Sequence, residues 1–258
     1  MKKILIGVTA VLAALTASFA IYVSIYYRAD SSVDAYLTQV AKVAAETESA
    51  QSAQEAPDTR VKVEETAYGW FLDGPSEDNA LIFYPGAKVD EKAYIPILHG
   101  FAGEGMDVCL VKMPFHLAFF GIDEASEVIE QYDYPNWYIG GHSLGGAMSA
   151  AYAADHADRL SGVVLLAAYA TGKLDDSLVE IVVYGGQDGV LNVGKIEKGR
   201  EFAPQEYFEK VIEGGNHAQF GNYGAQKGDG EAVISAQEQQ EETIRFVMDV
   251  IKDREGNR

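Results

Sequence analysis

The stretch WYIGGHSLGGAMSAA at residues 137–151 decides the fold of this chain. An apolar run ends in Gly141-His142-Ser143-Leu144-Gly145, and small residues at helical spacing follow it. A serine between two glycines at such a strand-to-helix junction predicts a sharp turn that exposes the hydroxyl, because only glycines let the two elements approach so closely. We therefore predict that Ser143 is a nucleophile, whereas His142 beside it packs within the turn.

A serine hydroxyl is a weak nucleophile at neutral pH and needs a base that accepts its proton. The only histidines after Ser143 are His156 and His217. His156 stands at the polar end of the helix that follows the turn, which is typical of a surface position. His217 follows a predicted strand through a loop that contains two glycines. We predict that His217 is the base.

The base in turn needs a carboxylate that orients it. Asp188 lies in GGQDG at residues 185–189, directly after a predicted strand, and its position between serine and histidine fits the order Ser, Asp, His. We predict that Asp188 is the acid. Asp175 and Asp176, which follow the preceding strand in an exposed stretch, are the alternatives.

The negative charge that develops on a substrate carbonyl needs two hydrogen-bond donors. One predicted donor is the backbone N–H of Leu144, directly after the nucleophile. The second is the backbone N–H of Ala87 in the loop YPGAKVD at residues 84–90, with Lys88 as the neighbouring candidate.

The rest of the chain after residue 61 alternates apolar runs with helical patterns, which predicts a mostly parallel sheet flanked by helices, an α/β fold. Towards the carboxyl end, Ser235 and Glu238 form a capping-box pattern before an apolar stripe, which predicts a long final helix. The predicted strands cover residues 67–72, 80–84, 107–112, 137–141, 162–168, 180–184 and 207–212.

Two features bear on access to the site. Only residues 169–179 separate two predicted strands at a place where a lid would be inserted, so we predict an open site without a substantial lid. Phe115, Phe119 and Phe120 follow a predicted strand, and we expect them either to form a pocket wall or to pack in the core. His99 is expected on a helix surface.

Composition excludes several classes of partner and cofactor. The formal net charge of −19 disfavours nucleic acid and anionic lipid headgroups, because both would be repelled. Cys109 is the only cysteine and lies in an apolar run, so we expect a buried thiol. No zinc-like spacing and no phosphate-binding loop occur, so we predict neither metal nor cofactor.

The first 30 residues form a separate segment. Residues 4–27 carry no charge and stand between Lys2-Lys3 and Arg28. As a helix they would span roughly 36 Å, enough to cross a bilayer. We predict a transmembrane anchor with the amino terminus cytoplasmic, and a cleaved signal sequence with secretion is the alternative. The predicted division is an anchor at 1–30, a juxtamembrane helix and linker at 31–60, and a catalytic domain at 61–258.

The chain resembles the small α/β-hydrolases related to dienelactone hydrolases. The matching segments are FYPGAKV at 83–89, VKMP at 111–114, GGHSLGG at 140–146, GGQDG at 185–189 and GNHAQFG at 215–221. The resemblance covers about residues 61–252. It implies the α/β-hydrolase fold with Ser143, Asp188 and His217 as the triad, and such proteins commonly carry one amino-terminal membrane segment. That family has no agreed substrate.

The predicted function is hydrolysis of a small-molecule carboxylic ester, lactone or thioester through an acyl-enzyme. Two alternatives remain open from the sequence. An acyltransferase would use the same three residues, and a non-catalytic surface-binding module would keep the fold without turnover.

Overall fold

The fold was obtained as a computed structural model, which describes residues 2–49, 61–75 and 77–256. Its strands form one sheet of eight. They are β1 Lys62–Glu65, β2 Gly69–Asp73, β3 Asn79–Tyr84, β4 Asp107–Val111, β5 Asn136–His142, β6 Gly162–Leu166, β7 Val179–Gly185 and β8 Glu206–Ile212. The seven predicted strands are all present with shifted ends. The strand β1 was not predicted, because it is a short edge strand whose residues are mostly exposed and polar and form no apolar pattern.

The helices are α1 Lys2–Ser24, α2 Ser31–Ser49, α3 Ile95–Gly103, α4 Glu124–Ile129, α5 Leu144–Asp155, α6 Val193–Gly199 and α7 Ala236–Gly256. Pro96 lies in the first turn of α3, where its missing N–H is no loss. The capping box before α7 is confirmed, since the Glu238 carboxylate accepts from Ser235 N–H at 2.8 Å and Glu238 N–H donates to Ser235 Oγ at 3.2 Å.

The strand order is β1-β2-β4-β3-β5-β6-β7-β8, and every neighbouring pair from β4 to β8 is parallel. Along β3, Leu81 and Phe83 face a core layer with α3 and α7, whereas Ile82 and Tyr84 face a layer with α4, α5 and α6. Both faces of the central strands are therefore buried, as expected for a parallel sheet. The carboxyl ends of β3, β5, β6, β7 and β8 meet at one edge, which is where the predicted site residues follow them.

The amino-terminal segment packs on this domain. Val33 of α2 is buried, and α2 covers α3 so that Tyr36 lies edge-on to His99 with ring centroids 5.5 Å apart. The expectation of His99 on a helix surface was therefore wrong, because no pattern in the sequence indicates that α2 covers that face. The predicted juxtamembrane helix is α2, which runs to Ser49, and residues 50–60 of the predicted segment 31–60 lie outside the described residues.

Between β6 and β7 the described chain forms no helix, and no lid is evident over the sheet edge. In the described ranges, no helix is both long enough and apolar enough to pass through a bilayer.

A buried carboxyl lies within the sheet at Glu180 of β7. Burial and the nearby Glu209 raise the pKa of Glu180 to about 7. Its Oε2 atom has no hydrogen-bond partner among the described residues. Glu209 on β8 behaves in the opposite way, because two hydrogen bonds from Arg200 lower its pKa to about 2.

Candidate active site

Ser143 lies between the end of β5 and the start of α5 in a backbone conformation that side chains rarely adopt. Its φ is 54° and its ψ is −120°, a strained combination for a residue other than glycine. The turn is tight because a Cβ at Gly141 would lie 2.5 Å from the carbonyl oxygen of Tyr84, and one at Gly145 would collide with the same oxygen. The Ser143 N–H donates to Leu166 O at 2.9 Å, which fixes the turn to β6.

The predicted acid and base lie together. Asp188 follows β7 and His217 follows β8, and His217 Nδ1 lies 2.8 Å from Asp188 Oδ2. Both side chains are only 2% exposed. The second carboxylate oxygen, Asp188 Oδ1, accepts from the N–H groups of Val190 and Leu191, each at 2.8 Å. Asp188 is thus held on one side by its own loop while it faces the imidazole on the other.

The other imidazole nitrogen of His217 is available for proton exchange. Nε2 is buried and has no hydrogen-bond partner in the part of the chain that the structure describes. The His217 ring lies against the ring of His142, the residue before Ser143, with centroids 4.5 Å apart. The imidazole therefore reaches the immediate neighbourhood of the serine, although no hydrogen bond joins Nε2 to the Ser143 hydroxyl in this structure.

The alternative acids are not brought to this place. Asp175 accepts from Ser177 N–H at 2.9 Å and Asp176 pairs with Lys173 at 3.4 Å, both on an exposed turn before β7. That turn precedes the amino end of the strand, whereas His217 follows the carboxyl end of the neighbouring strand. The other histidine, His156, lies at the end of α5, where it stacks on Tyr152 with ring centroids 4.1 Å apart.

The loop after β3 presents one free backbone donor. Gly86 N–H donates to the Tyr94 hydroxyl at 3.1 Å, and Lys88 N–H donates to His116 O at 2.7 Å. Among the described residues, the N–H of Ala87 between them donates to no protein acceptor. Leu144 is the first residue of α5, so its N–H has no acceptor within the helix. Both predicted oxyanion donors are therefore unused by the fold.

His142 supports this loop and remains uncharged. The Tyr94 hydroxyl lies 2.9 Å from His142 Nδ1 and also accepts from Gly86, so it links the loop to the residue before the serine. Burial, together with repulsion from His217, holds the pKa of His142 well below its ordinary value. Burial raises the pKa of Tyr94, which therefore stays a neutral phenol and can donate to the unprotonated Nδ1.

Sequence reasoning missed a further carboxylate at the site, Asp229. Its Oδ1 accepts from the N–H groups of Gly189 at 3.1 Å, His217 at 3.2 Å and Gly230 at 2.8 Å, and its Oδ2 accepts from Ala218 N–H at 2.8 Å. Asp229 thus joins the acid loop to the base loop. Its sequence context, Gly228-Asp229-Gly230, predicts a turn, but no strand precedes it to indicate a place in the site.

The amino-terminal segment also borders the site, which the sequence did not predict. Tyr27 forms a β-bridge with Val89, in which Tyr27 N–H donates to Lys88 O at 2.7 Å and Asp90 N–H donates to Tyr27 O at 2.8 Å. Tyr26 stacks on His116 with ring centroids 4.0 Å apart. His116, which also lies 3.9 Å from the buried Glu91 carboxylate, is therefore a packed residue.

The three phenylalanines after β4 do not pack in the core. Phe115, Phe119 and Phe120 are each about half exposed or more, so the expectation of core packing was wrong. In the described residues, no group of three or more His, Cys, Asp or Glu side chains is placed to hold a metal ion.

A strained serine at a strand–helix turn, followed by an acid and a base at the same edge of a mostly parallel sheet, defines a hydrolase-type site on an α/β fold. The sequence model of the alpha/beta hydrolase family matches residues 80–241. The chain belongs to that family. No curated protein sequence matches it.

Solved structures share this fold at low sequence identity. TT1662 from Thermus thermophilus is 15% identical with a TM-score of 0.54, over 75% of this chain and 98% of that one. Est1E from Butyrivibrio proteoclasticus is 13% identical with a TM-score of 0.53, over 75% and 99%. A monoacylglycerol lipase from Paleococcus ferrophilus is 12% identical with a TM-score of 0.55, over 74% and 99%. These likenesses show the fold. The narrower resemblance to dienelactone hydrolases stays a prediction.

Proposed function

We propose that this protein is a serine hydrolase that cleaves a carboxylic ester, lactone or thioester through an acyl-enzyme, with Ser143, Asp188 and His217 as its triad. The observation that carries the proposal is the buried 2.8 Å pair between His217 Nδ1 and Asp188 Oδ2, which leaves Nε2 without a partner beside the turn that exposes Ser143. An esterase-type reaction also agrees with the names of two fold neighbours, Est1E and the monoacylglycerol lipase.

In the first half-reaction His217 Nε2 takes the proton of Ser143 as Oγ attacks the carbonyl carbon of the substrate. The electron pair of the carbonyl π bond moves to the oxygen, which the N–H groups of Leu144 and Ala87 stabilise. Asp188 stabilises the imidazolium that forms. When the intermediate collapses, His217 gives the proton to the leaving group, and the acyl group stays on Ser143.

In the second half-reaction a water molecule takes the place of the leaving group. His217 removes its proton, the oxygen attacks the acyl carbon, and collapse returns the proton to Ser143 Oγ. The carboxylic acid leaves, and the enzyme regains its starting protonation. In the described chain, the segment that connects β6 to β7 contains no helix that could cover the site. This favours an open, esterase-like site.

A fluorophosphonate probe tests the nucleophile directly. The full-length protein in detergent should be labelled and the Ser143→Ala variant should not. Ser177→Ala serves as a control, because Ser177 is exposed on the turn before the opposite end of β7. Burst release of p-nitrophenol from p-nitrophenyl acetate should accompany labelling. Labelling that survives Ser143→Ala would refute the assignment, and a folded protein silent to both reagents would favour a binding module.

We also propose that residues 4–27 anchor the protein in a membrane with the catalytic domain on the extracytoplasmic side. The support is the uncharged stretch between Lys3 and Arg28 and the excess of positive charge before it. Mass spectrometry of the mature protein tests this. A chain that begins near Ile21 would mean that the segment is a cleaved signal.

A further inference from the structure

An exposed cluster of aromatic rings borders the candidate site. It consists of Phe115, Phe119 and Phe120 from the segment after β4 together with Phe19 of α1, and we term it the phenylalanine rim. Phe19 lies edge-on to Phe115 at 5.3 Å and to Phe120 at 6.1 Å between centroids, and Phe119 meets Phe120 at 5.5 Å. Each of the four side chains is nevertheless 40–66% exposed. A contiguous aromatic patch of this kind in contact with solvent marks an interaction surface.

The backbone of the rim is strained. Phe115 and His116 are consecutive residues with φ of 58° and 55°, and such conformations cost about 1–3 kcal/mol each for residues other than glycine. Hydrogen bonds hold them in place, since His116 N–H donates to Met113 O at 3.0 Å and His116 O accepts from Lys88 at 2.7 Å. The fold thus maintains a costly conformation that turns phenylalanine rings outward.

The rim is continuous with the apolar surface of α1. Val11, Leu12 and Leu15 of that helix are exposed, and Phe19 connects them to the rim. Phe19 lies five positions before the end of α1 at Ser24, a rise of about 8 Å along the helix. A bilayer that surrounds α1 would therefore place the rim at the boundary between headgroups and acyl chains, the depth at which interfacial apolar faces are buried.

Cations and tyrosines mark the level of the headgroups. Lys88 Nζ lies 4.1 Å from the centre of the Tyr22 ring, and Arg28 lies 4.8 Å from that of Tyr26. Tyrosine, lysine and arginine at the end of an apolar helix are typical of a membrane interface. The net charge of −19 disfavours a strongly anionic surface, so a bilayer of zwitterionic lipid fits best.

The rim is linked to the elements of the site at two places. His116 accepts from Lys88, whose neighbour Ala87 carries the proposed oxyanion donor. The turn Ala118–Phe120 packs against α5, the helix that begins directly after Ser143. A surface that contacts the rim therefore lies beside the loop and the helix that carry the proposed oxyanion donors.

We infer that the phenylalanine rim docks on the bilayer that surrounds α1, so that the mouth of the site opens onto lipid. The substrate class that follows is a neutral acyl ester dissolved in the membrane, whose acyl chain reaches Ser143 along the rim without crossing water. This substrate class rests on the proposed serine hydrolase function, whereas the docking rests on the proposed membrane anchor and not on the chemistry of the site.

Docking is tested by measuring depth. Because Cys109 is the only cysteine and is buried, a Phe119→Cys variant carries one accessible thiol, which can be labelled with an environment-sensitive fluorophore. The full-length variant is reconstituted in phosphatidylcholine vesicles that contain doxyl-labelled lipid. Ser177→Cys is the matched control, because Ser177 is exposed and precedes the opposite end of β7. Phe120→Cys is a second position in the rim.

We expect the fluorescence at positions 119 and 120 to be blue-shifted and quenched by the doxyl lipid, and we expect neither effect at position 177. The same result is expected when Ser143→Ala is also present. Equal quenching at all three positions, or none at 119 and 120, would overturn docking. This result does not depend on turnover, so it is separate from a failure of the proposed function, which loss of fluorophosphonate labelling would reveal.

The substrate class is tested with two esters. The full-length protein in phosphatidylcholine vesicles is given 4-methylumbelliferyl oleate, which dissolves in the bilayer, and p-nitrophenyl acetate, which stays in water. We expect Phe119→Ser to lower the rate on the oleate at least fivefold more than the rate on the acetate. Phe208→Ser on the edge strand β8 should leave the ratio of the two rates unchanged. Equal losses on both esters would overturn the membrane-resident substrate, and so would a rim variant that keeps its full rate on the oleate.

Discussion

Replacement of Ser143 by glycine should stabilise the protein relative to replacement by alanine. Both changes remove the hydroxyl, but alanine keeps the strain of φ 54° and ψ −120°, whereas glycine adopts this conformation without a Cβ clash. Relief of such strain is worth about 1–3 kcal/mol. The greater freedom of glycine in the unfolded chain opposes it by about 0.5–1 kcal/mol.

The net difference in free energy of unfolding is then about 1 kcal/mol or somewhat more in favour of glycine, a rise in Tm of about 2–4 °C for a domain of this size. Thermal denaturation of the two full-length variants in the same detergent measures it. Ala147→Gly is the matched control, because Ala147 lies in ordinary helical backbone of α5 and glycine should destabilise it. A Ser143→Gly variant no more stable than Ser143→Ala would show that the turn is not strained.

Three further predictions concern groups around the site and within the sheet. Asp229→Asn should lower kcat on p-nitrophenyl acetate by roughly tenfold to 100-fold with little change in KM, because the base loop shifts. Asp175→Asn, which also removes a carboxylate that accepts from backbone, should leave kcat unchanged, and equal effects of the two changes would contradict positioning by Asp229. Glu180 has a folded-state pKa of about 7 against an ordinary value of 4.5, so the folded protein binds more protons between these values and stability should fall as the pH rises through that window. At about 1.4 kcal/mol per pKa unit the loss is about 3 kcal/mol at most, so Glu180→Gln should raise Tm at pH 8 and have little effect at pH 5. A gain in Tm that does not vary with pH would contradict this. Tyr94→Phe should lower the free energy of unfolding by about 2 kcal/mol, because it leaves two buried polar groups without a partner, and an unchanged Tm would contradict it.

The parallel sheet could be predicted because each of its central strands is a continuous apolar run between turns. The strand-to-helix junction around Ser143 identified the fold. Asp188 and His217 were predicted as a pair because each follows a later strand, and the structure places their side chains 2.8 Å apart. At these positions the residue types that the local sequence favours are also the ones that the fold needs. The hydrophobic pattern and the order of residues along the chain were therefore sufficient to predict them.

The parts that could not be predicted depend on contacts between distant segments. Asp229 acts through four backbone N–H groups, and nothing in its own sequence context says which loops those groups belong to. Phe115 and its neighbours have the composition of a core segment, and only the path of the strained backbone turns them outward. His99 is covered by α2, which the sequence suggested only as a juxtamembrane helix.

The bridge between Tyr27 and Val89 determines how much of the amino-terminal segment is needed to hold the loop of Ala87 in its conformation. Tyr27 donates one backbone hydrogen bond to Lys88 and accepts another from Asp90, on either side of Val89. A chain shortened from its amino end beyond Tyr27 would therefore release one side of that loop. Truncation before Tyr22 would preserve the bridge and both cation–aromatic pairs. A soluble form intended to retain the proposed activity should therefore begin before Tyr22, even though the segment that matches the family starts only at residue 80.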